Sequence, residues 1–234
     1  MRSGIVDGNK MKLWNRFIDA HRVIDEAVPL LSIRDGAIVV FSYGANNRPM
    51  LRRSQEMGLL LRTLGKTLVA EFNSSMLIHD GILYMMLTRH DQVVVPRYIG
   101  KAEVIGKGDH NLSANISDLI TGDGKFGRWG YNYAYHLGDL SAACLPGHPD
   151  SKRTRKYARW RDGLFDIKDD RVRPKSELLF WATLWSPERS SIWAEYGSTR
   201  LAFEEYLLIG IASDLFPDYL LNSEGRNRQH NQPN

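Results

Sequence analysis

Two hydrophobic runs on either side of a short polar segment dominate the pattern in the middle of the chain. Residues 81–87 and 93–100 are rich in aliphatic and aromatic side chains, and residues 89–92 between them are Arg-His-Asp-Gln. Runs of this length with a polar connection predict a β-hairpin. A third hydrophobic run at residues 178–185 predicts another strand.

Hydrophobic positions that recur every three or four residues predict helices elsewhere. These helices are expected at residues 12–28, 50–64, 112–120, 151–165 and 198–214. Glycines at positions 106, 108, 122, 124, 127 and 130 predict a long irregular stretch around the 112–120 helix.

Shorter runs predict further strands at residues 38–41 and 68–72. The alternation of Tyr131, Tyr133 and Tyr135 indicates one edge of a strand, and base stacking is the alternative interpretation. The chain is therefore expected to be α/β (α+β), with a small mixed or antiparallel central sheet flanked by helices.

The last helix carries a carboxylate on its apolar side. Glu205 lies between Leu201 and Ile209 on that side, whereas Glu204 is about 100° away, one turn after Arg200. A solvated ion pair with Arg200 accounts for Glu204. A buried carboxylate costs several kcal/mol unless a cation, metal ion or hydrogen-bond donor meets it. The pattern therefore predicts a partner for Glu205.

Composition restricts the class of protein. The single cysteine, Cys144, excludes an internal disulfide and is typical of a reducing, cytoplasmic location. No pair or cluster of cysteine and histidine has zinc-site spacing. The chain has no signal-like segment and no run of about 18 apolar residues, so no membrane partner is expected.

Positive charge is concentrated in one segment. The whole chain has a formal charge of +4, but residues 151–175 alone carry +6. Such a segment fits a polyanion such as nucleic acid, and a solvated helix face is the other explanation.

The order of these features resembles that of the GIY-YIG nuclease superfamily. The signature strands of that family are similar to Gly81-Ile82-Leu83-Tyr84 and Tyr98-Ile99-Gly100-Lys101. Its closing segment is similar to the Glu205 helix and the Phe216-Pro217 and Asn222 that follow it. Residues 112–116 are similar to the GIY-YIG restriction endonucleases, to which the chain is nearest in character.

The chain also departs from the family pattern. Leu83 interrupts Gly-Ile-Tyr, and a large insertion precedes the third strand. The family carries a catalytic arginine on the first helix after Tyr-Ile-Gly, where this chain has Asn115. Arg128 and Arg159 are the two candidates for that charge. We favour Arg128, because it is nearer in sequence and flanking glycines permit a close approach.

The resemblance implies a role for each candidate catalytic residue. Tyr84 would help to activate a water molecule, and Tyr98 and Arg128 would hold the phosphate. Glu205 would bind Mg²⁺ or another divalent cation such as Mn²⁺, both of which accept carboxylate oxygens, and Asn222 would help to order the site. The expected nucleic-acid contacts are Lys101, Lys152, Arg155, Lys156 and Arg159.

Taken singly, these residues also have structural explanations. The tyrosines could be core residues, Glu205 an ion-pair partner and Asn222 a turn residue. His136 and His148 could be ligands or bases, but single histidines in loops are usually neither.

We therefore expect a helix-strand-helix extension at residues 1–75 and a GIY-YIG-like core at 76–225. The core would contain the basic insertion 102–176, and residues 226–234 would be a polar tail. The expected function is a metal-dependent endonuclease of double-stranded DNA, of restriction or defence type. A single site per chain favours a homodimer or sequential nicking. The alternatives are a catalytically degenerate nucleic-acid-binding protein on this fold, and an unrelated enzyme with Glu205 as acid or base.

Overall fold

A four-stranded antiparallel sheet forms the centre of the computed structural model. The structure describes residues 8–90, 93–108, 110–169, 171–189, 191–193, 195 and 197–226. The strands in chain order are β1 (Val28–Pro29), β2 (Ile33–Arg34), β3 (Ala37–Ile38), β4 (Val40–Tyr43), β5 (Arg48–Leu51), β6 (Gly81–His90), β7 (Val93–Glu103), β8 (Phe165–Lys168), β9 (Arg171–Pro174) and β10 (Glu177–Trp185). The central sheet has the order β1-β10-β6-β7, and β2-β3, β4-β5 and β8-β9 form three small antiparallel pairs.

Helices cover both faces of this sheet. They are α1 (Gly8–Ala20), α2 (Gln55–Asn73), α3 (Ala114–Thr121), α4 (His136–Cys144), α5 (Arg155–Leu164) and α6 (Leu201–Leu215). The predicted class, a small sheet flanked by helices, is confirmed, and its strands are antiparallel. Within the described residues, no helix combines the length and the apolar character needed to cross a membrane.

The predicted central hairpin is confirmed as β6 and β7. Its register pairs Tyr84 with Gly100 and Met86 with Tyr98, and a β-bulge follows Met86. The predicted third strand is β10, which pairs with β6 along its whole length. Residues 91 and 92 of the predicted connection lie outside the described residues, as do residues 227–234 of the predicted tail.

Successive residues of β6 enter two different hydrophobic cores, because side chains alternate across a strand. Tyr84 and Met86 pack with aromatic residues of the insertion, including Trp129 and Trp160. Leu83 and Met85 face the opposite side, where α1 and α6 cover the sheet. The first 75 residues contribute to both cores, through α2 on one side and α1 on the other.

The second predicted helix is confirmed as α2 with different bounds, and the strand predicted after it was wrong. Residues 50 and 51 belong to β5, and α2 continues through Gly65 and residues 68–72 to Asn73. The buried positions Leu61, Gly65 and Leu68 keep helical spacing, so packing overrides the strand propensity of the later run. Gly65 is needed for a close approach, since a Cβ there would lie 2.7 Å from Leu119 of α3.

Several other boundaries also differ from the prediction. Helix α1 ends at Ala20, followed by Arg22 with a positive φ of 49°, and residues 28 and 29 form an edge strand. The tyrosines at 131–135 lie in a loop rather than a strand. The helix predicted at 151–165 begins as a short 3₁₀ turn, Asp150–Lys152, before α5.

Helix α4 was absent from the prediction. All nine of its residues are buried, so it has no polar face and no amphipathic pattern from which to recognise it.

The prediction of a solvated Glu204 was wrong. Its side chain is fully buried and accepts hydrogen bonds from Ser191 Oγ at 2.6 Å, Thr199 Oγ1 at 2.8 Å and Ile192 N at 2.8 Å. Arg200 instead pairs with Asp80 at 2.8 Å. The loop before α6 therefore folds over Glu204 and satisfies its carboxylate.

We predict that Glu204→Ala lowers the free energy of unfolding by about 2–4 kcal/mol, because three buried donors lose their acceptor. The exposed Glu188 provides the control, since Glu188→Ala removes a carboxylate from the surface. Denaturant unfolding of both variants measures the difference, and equal stability would contradict the structural role of Glu204.

Candidate active-site cleft at the edge of the sheet

A cleft of about 170 Å³ lies beside β7, the edge strand of the central sheet. Helix α6 reaches it from one face, and the 126–128 turn and α5 reach it from the other. The residues that line the cleft are Tyr98, Arg128, Lys156, Glu205, Tyr206, Ile209, Asn222, Ser223 and Glu224. Five of these nine are residues that the sequence analysis singled out, and they come from separate parts of the chain.

Glu205 is half-buried in the wall of the cleft. Burial raises the pKa of its carboxyl from 4.5 to about 7, the charge of Lys101 opposes this effect, and the carboxylates of Glu103 and Glu224 add to it. The Lys101 ammonium is itself paired with Glu103 at 2.6 Å. Glu205 therefore lacks a full counter-charge, and a further cation in the cleft would stabilise its ionised form.

The two predicted tyrosines lie on the same face of the sheet but at different depths. Their rings stack with centroids 6.3 Å apart. Tyr98 lines the cleft, whereas Tyr84 is 1% exposed and lies behind it. Burial raises the pKa of Tyr98 to about 12 and that of Tyr84 well above 10, although Arg128 lowers both. Both hydroxyls are therefore protonated near neutral pH and can donate hydrogen bonds.

Arg128 lies in the wall of the cleft, and the backbone turn at residues 126–128 places it there. Gly127 and Arg128 both have a positive φ, of 51° and 71°, a conformation that costs a non-glycine residue about 1–2 kcal/mol. The guanidinium lies 5.6 Å from the ring centre of Tyr135. Among the described residues it makes no ion pair or hydrogen bond, so its charge is available to an anion in the cleft.

Arg159, the other candidate for the missing arginine, lies elsewhere. It is exposed on α5 and donates a hydrogen bond to the Leu220 carbonyl at 3.1 Å. It does not line the cleft.

The predicted nucleic-acid contacts divide into two groups. Arg155 and Arg159 are exposed on α5. Lys156 is half-buried, and its ammonium lies 5.1 Å from the ring centre of Tyr98. Burial and the charge of Arg128 lower the pKa of Lys156. Lys152 is half-buried near the start of α5, and Lys101 is half-buried on the side of the sheet that α6 covers.

Asn222 closes the cleft by binding the backbone of β7. Its side-chain oxygen accepts from Ile99 N at 3.0 Å, and its side-chain nitrogen donates to Ile99 O at 2.8 Å. The amide thus imitates a neighbouring strand at one residue of an otherwise open edge. Leu221 N adds a hydrogen bond to Arg97 O at 2.7 Å. Asn222 therefore orders the cleft from within rather than contacting a ligand with its amide.

Sequence reasoning missed Glu224, and it considered His136 without giving it a role in the site. Glu224 is a second carboxylate in the cleft wall. His136 is fully buried behind the cleft, with Nε2 at 3.2 Å from the Tyr84 hydroxyl and Nδ1 at 2.9 Å from the Tyr157 hydroxyl. Burial and the charges of Lys156 and Arg128 lower the pKa of His136 well below 6.5. It is therefore a neutral hydrogen-bonding link between two tyrosines.

A larger cavity, of about 580 Å³, lies around the start of α6. Three of its charged lining residues already have partners, since Asp80 pairs with Arg200 at 2.8 Å and Glu103 pairs with Lys101 at 2.6 Å. In addition, Asp80 accepts a hydrogen bond from Leu201 N at the first turn of α6. Size alone therefore does not select the site, and the smaller cleft at β7 combines unpaired cations with a carboxylate that lacks a full counter-charge.

Comparison of the chain with protein-family models, with curated proteins and with solved structures found no match. The case for function therefore depends on the geometry and electrostatics of the cleft.

We predict that Glu205→Gln stabilises the protein at pH 8. The folded-state pKa of about 7 lies above the ordinary value of 4.5, so ionisation costs folding free energy as the pH rises between these values. The expected gain in unfolding free energy at pH 8 is about 1–2 kcal/mol, shrinking towards zero near pH 4.5. Denaturant unfolding at several pH values measures it, with the exposed Glu26→Gln as control. An unchanged free energy of unfolding at pH 8 would contradict a raised pKa of Glu205.

Proposed function

We propose that the protein is a metal-dependent endonuclease that hydrolyses phosphodiester bonds of DNA at the cleft beside β7. One observation carries the proposal: a single cleft brings together Tyr98, Arg128, Lys156 and Glu205, with Asn222 bonded to the edge of β7. Phosphodiester hydrolysis needs positive charge near the phosphate oxygens, hydrogen-bond donors and a means of activating water. The lining of the cleft can provide the cations and the donors, and a divalent cation held by Glu205 would activate water by lowering the pKa of a bound water molecule.

The cationic wall of the cleft suits a phosphate group. Arg128 has no carboxylate partner among the described residues, and its charge lowers the pKa of Lys156. The carboxylates of Glu224 and Asp139 compensate the charge of Lys156 only in part. Two like charges repel each other, so an anion between Arg128 and Lys156 relieves the repulsion. A guanidinium also matches the planar arrangement of two phosphate oxygens. We therefore assign phosphate binding to Arg128 and Lys156.

The acidic wall of the cleft suits a hard divalent cation. Glu205 and Glu224 offer carboxylate oxygens in the cleft. The described residues contain no cluster of three or more histidine, cysteine or acidic residues, so a site here would have to use few protein ligands. Mg²⁺ keeps most of its water molecules and needs only one or two protein carboxylates, and Mn²⁺ accepts the same oxygen ligands. Glu205 would hold the ion, with Glu224 close by. When bound, such an ion supplies Lewis-acid stabilisation of the charge that develops on the phosphate.

The tyrosines act as hydrogen-bond donors in this proposal. The Tyr98 hydroxyl is protonated near neutral pH, since its pKa is about 12, and it can donate to a non-bridging phosphate oxygen. Tyr84 is held by His136 behind Tyr98. A base role for Tyr84 would need a pKa near neutral, and burial shifts that pKa in the opposite direction. We therefore assign Tyr84 the positioning of Tyr98 rather than removal of the water proton.

The volume of the cleft argues against a small-molecule enzyme with Glu205 as acid or base. Pockets for small ligands usually enclose about 300–1,000 Å³, and this cleft encloses about 170 Å³. One phosphate group of a long polymer fits such a space, while the rest of the polymer lies on the surface outside.

We predict that purified protein cuts long duplex DNA of mixed sequence in Mg²⁺ or Mn²⁺, and does not in excess chelator. Glu205→Gln should lower the rate at least about 100-fold, because it removes the charge that binds the ion. Gel analysis measures the products, with Glu26→Gln as the control. Nicked circles that precede linear product would indicate one site acting on the two strands in turn.

Two outcomes would contradict this prediction. Wild-type cleavage that Glu205→Gln leaves unchanged would exclude the cleft as the site. Salt-sensitive DNA binding by the wild type without cleavage in any divalent cation would favour the catalytically degenerate binding protein.

The two candidate arginines can be separated by matched substitutions. Arg128→Ala should lower the cleavage rate at saturating DNA by about 100- to 1,000-fold, because it removes positive charge from the transition state. Arg159→Ala should mainly weaken DNA binding, since Arg159 lies outside the cleft. Single-turnover rates and binding isotherms measure the two effects. The reverse pattern would move the catalytic charge to Arg159.

A further inference from the structure

The β4–β5 hairpin presents its polar tip to solvent. Residues 44–47, Gly-Ala-Asn-Asn, connect the two strands and are all exposed. Asn47 has a positive φ of 48°, which helps to form the tight turn. The hairpin therefore projects two adjacent asparagine side chains, Asn46 and Asn47.

The base of this hairpin is rigidly connected to the cleft. Met50 and Leu51 are fully buried, and Leu51 N donates to Ser141 Oγ of α4 at 3.0 Å. Two residues later, the buried Arg53 guanidinium donates to Trp129 O at 3.0 Å and to Asp123 Oδ1 at 2.6 Å. Trp129 follows Arg128 directly. The hairpin and the cleft arginine are thus held in a fixed relation by one guanidinium.

A set of cations lies between the hairpin and the cleft. Arg48, at the start of β5, lies 4.6 Å from the ring centre of Tyr133, and Lys152 lies 5.1 Å from the same ring. A histidine holds the Tyr133 ring in place. The Tyr133 hydroxyl lies 2.9 Å from His148 Nδ1, and His148 Nε2 lies 2.8 Å from Pro49 O. This ring supports two cations near the hairpin.

Further cations extend this set from Lys152 to the cleft. Burial raises the pKa of the Asp139 carboxyl, and the charges of Lys152 and Lys156 both oppose this increase. Lys156 in turn lies over Tyr98 in the cleft, and Arg128 lies over Tyr135. We call Arg48, Lys152, Lys156 and Arg128 the cationic track. None of the four forms an ion pair within 4 Å of a carboxylate among the described residues, which leaves the track open to a polyanion.

We propose that a DNA duplex bound in the cleft lies along the cationic track, so that the β4–β5 hairpin enters its major groove and Asn46 and Asn47 contact base edges. This inference depends on the proposed function, and it assigns the sequence-reading element of the same site. The major groove admits a two-stranded β-ribbon, and asparagine can form two hydrogen bonds with adenine there. Phosphate contacts by the track would set the position of the duplex, and base contacts would specify the sequence.

Two features favour base-edge contacts over stacking of unpaired bases on the tyrosines. Arg48 and Lys152 already lie over the Tyr133 ring, so that ring supports cations. The exposed end of the hairpin carries amides rather than aromatic rings, and amides read base edges whereas rings stack.

Selection from randomised DNA tests the inference. Linear duplexes with a randomised central segment are incubated with the full-length protein in Ca²⁺ or Mg²⁺, and the bound and the cut molecules are sequenced. The tip variant combines Asn46→Ala with Asn47→Gly, since glycine tolerates the positive φ. A matched control combines Lys168→Ala with Asp169→Gly at the β8–β9 turn, where Asp169 also has a positive φ, of 52°. Neither double variant changes the net charge.

The wild type should select a sequence motif. In the tip variant, the preference for the selected base should fall about 5- to 100-fold at one to three base pairs of that motif. The control should select the wild-type motif. Arg48→Ala with Lys152→Ala should instead weaken binding to all sequences and reduce the salt dependence by about two counter-ions.

A tip variant that selects the wild-type motif at full strength would overturn the inference, and so would a wild type that cuts DNA with no preference. A wild type that selects a motif lost in the tip variant, but cuts nothing, would uphold the inference and refute the nuclease. A wild type that neither binds nor cuts duplex DNA would refute both.

Discussion

The cleft depends on one constraint: the negative charge of the Glu205 carboxylate is only partly compensated by its surroundings. Glu205 is held half-buried beside the edge strand of the sheet, and its pKa is raised to about 7. The Lys101 ammonium, whose charge favours the ionised carboxyl, is paired with Glu103 at 2.6 Å. A fold built for stability alone would give such a group a full set of donors, as it does for Glu204 one residue earlier. Glu205 accepts a backbone hydrogen bond from Lys101, so the two adjacent carboxylates are compensated to different extents. This difference supports the function proposed for Glu205.

The cleft exists because β7 is an edge strand. Glu205 approaches from the face that α6 covers, whereas Tyr98 and Lys156 belong to the opposite face. Side chains from opposite faces of a sheet can meet only around its edge. Asn222 occupies one step of that edge by bonding to both polar groups of Ile99. The edge beside the cleft is thereby also blocked, at that point, from pairing with another strand.

Much of this arrangement could be predicted from local pattern. The β6–β7 hairpin, β10 and α6 each have a strong hydrophobic pattern. Tyr98 and Glu205 lie on these elements, whereas Arg128 and Lys156 belong to a turn and to α5. Helix α4 and His136 could not be predicted, because a helix buried on all sides has no amphipathic pattern. Glu204, rather than Glu205, is the fully buried residue because Ser191, Ile192 and Thr199 donate hydrogen bonds to it. Helical spacing does not predict where the loop residues that make such contacts lie. The strand predicted at residues 68–72 failed for a related reason, since contact of α2 with α3 at Gly65 outweighs local propensity.

The most direct test is a titration of the Glu205 carboxyl itself. Carbon NMR of protein labelled at the glutamate side chains, with Glu205 assigned by its loss in Glu205→Gln, reports this pKa. The account predicts a value near 7 without divalent cations, falling below about 6 in saturating Mg²⁺ because the ion favours the carboxylate. An ordinary value near 4.5 that Mg²⁺ leaves unchanged would contradict the central claim.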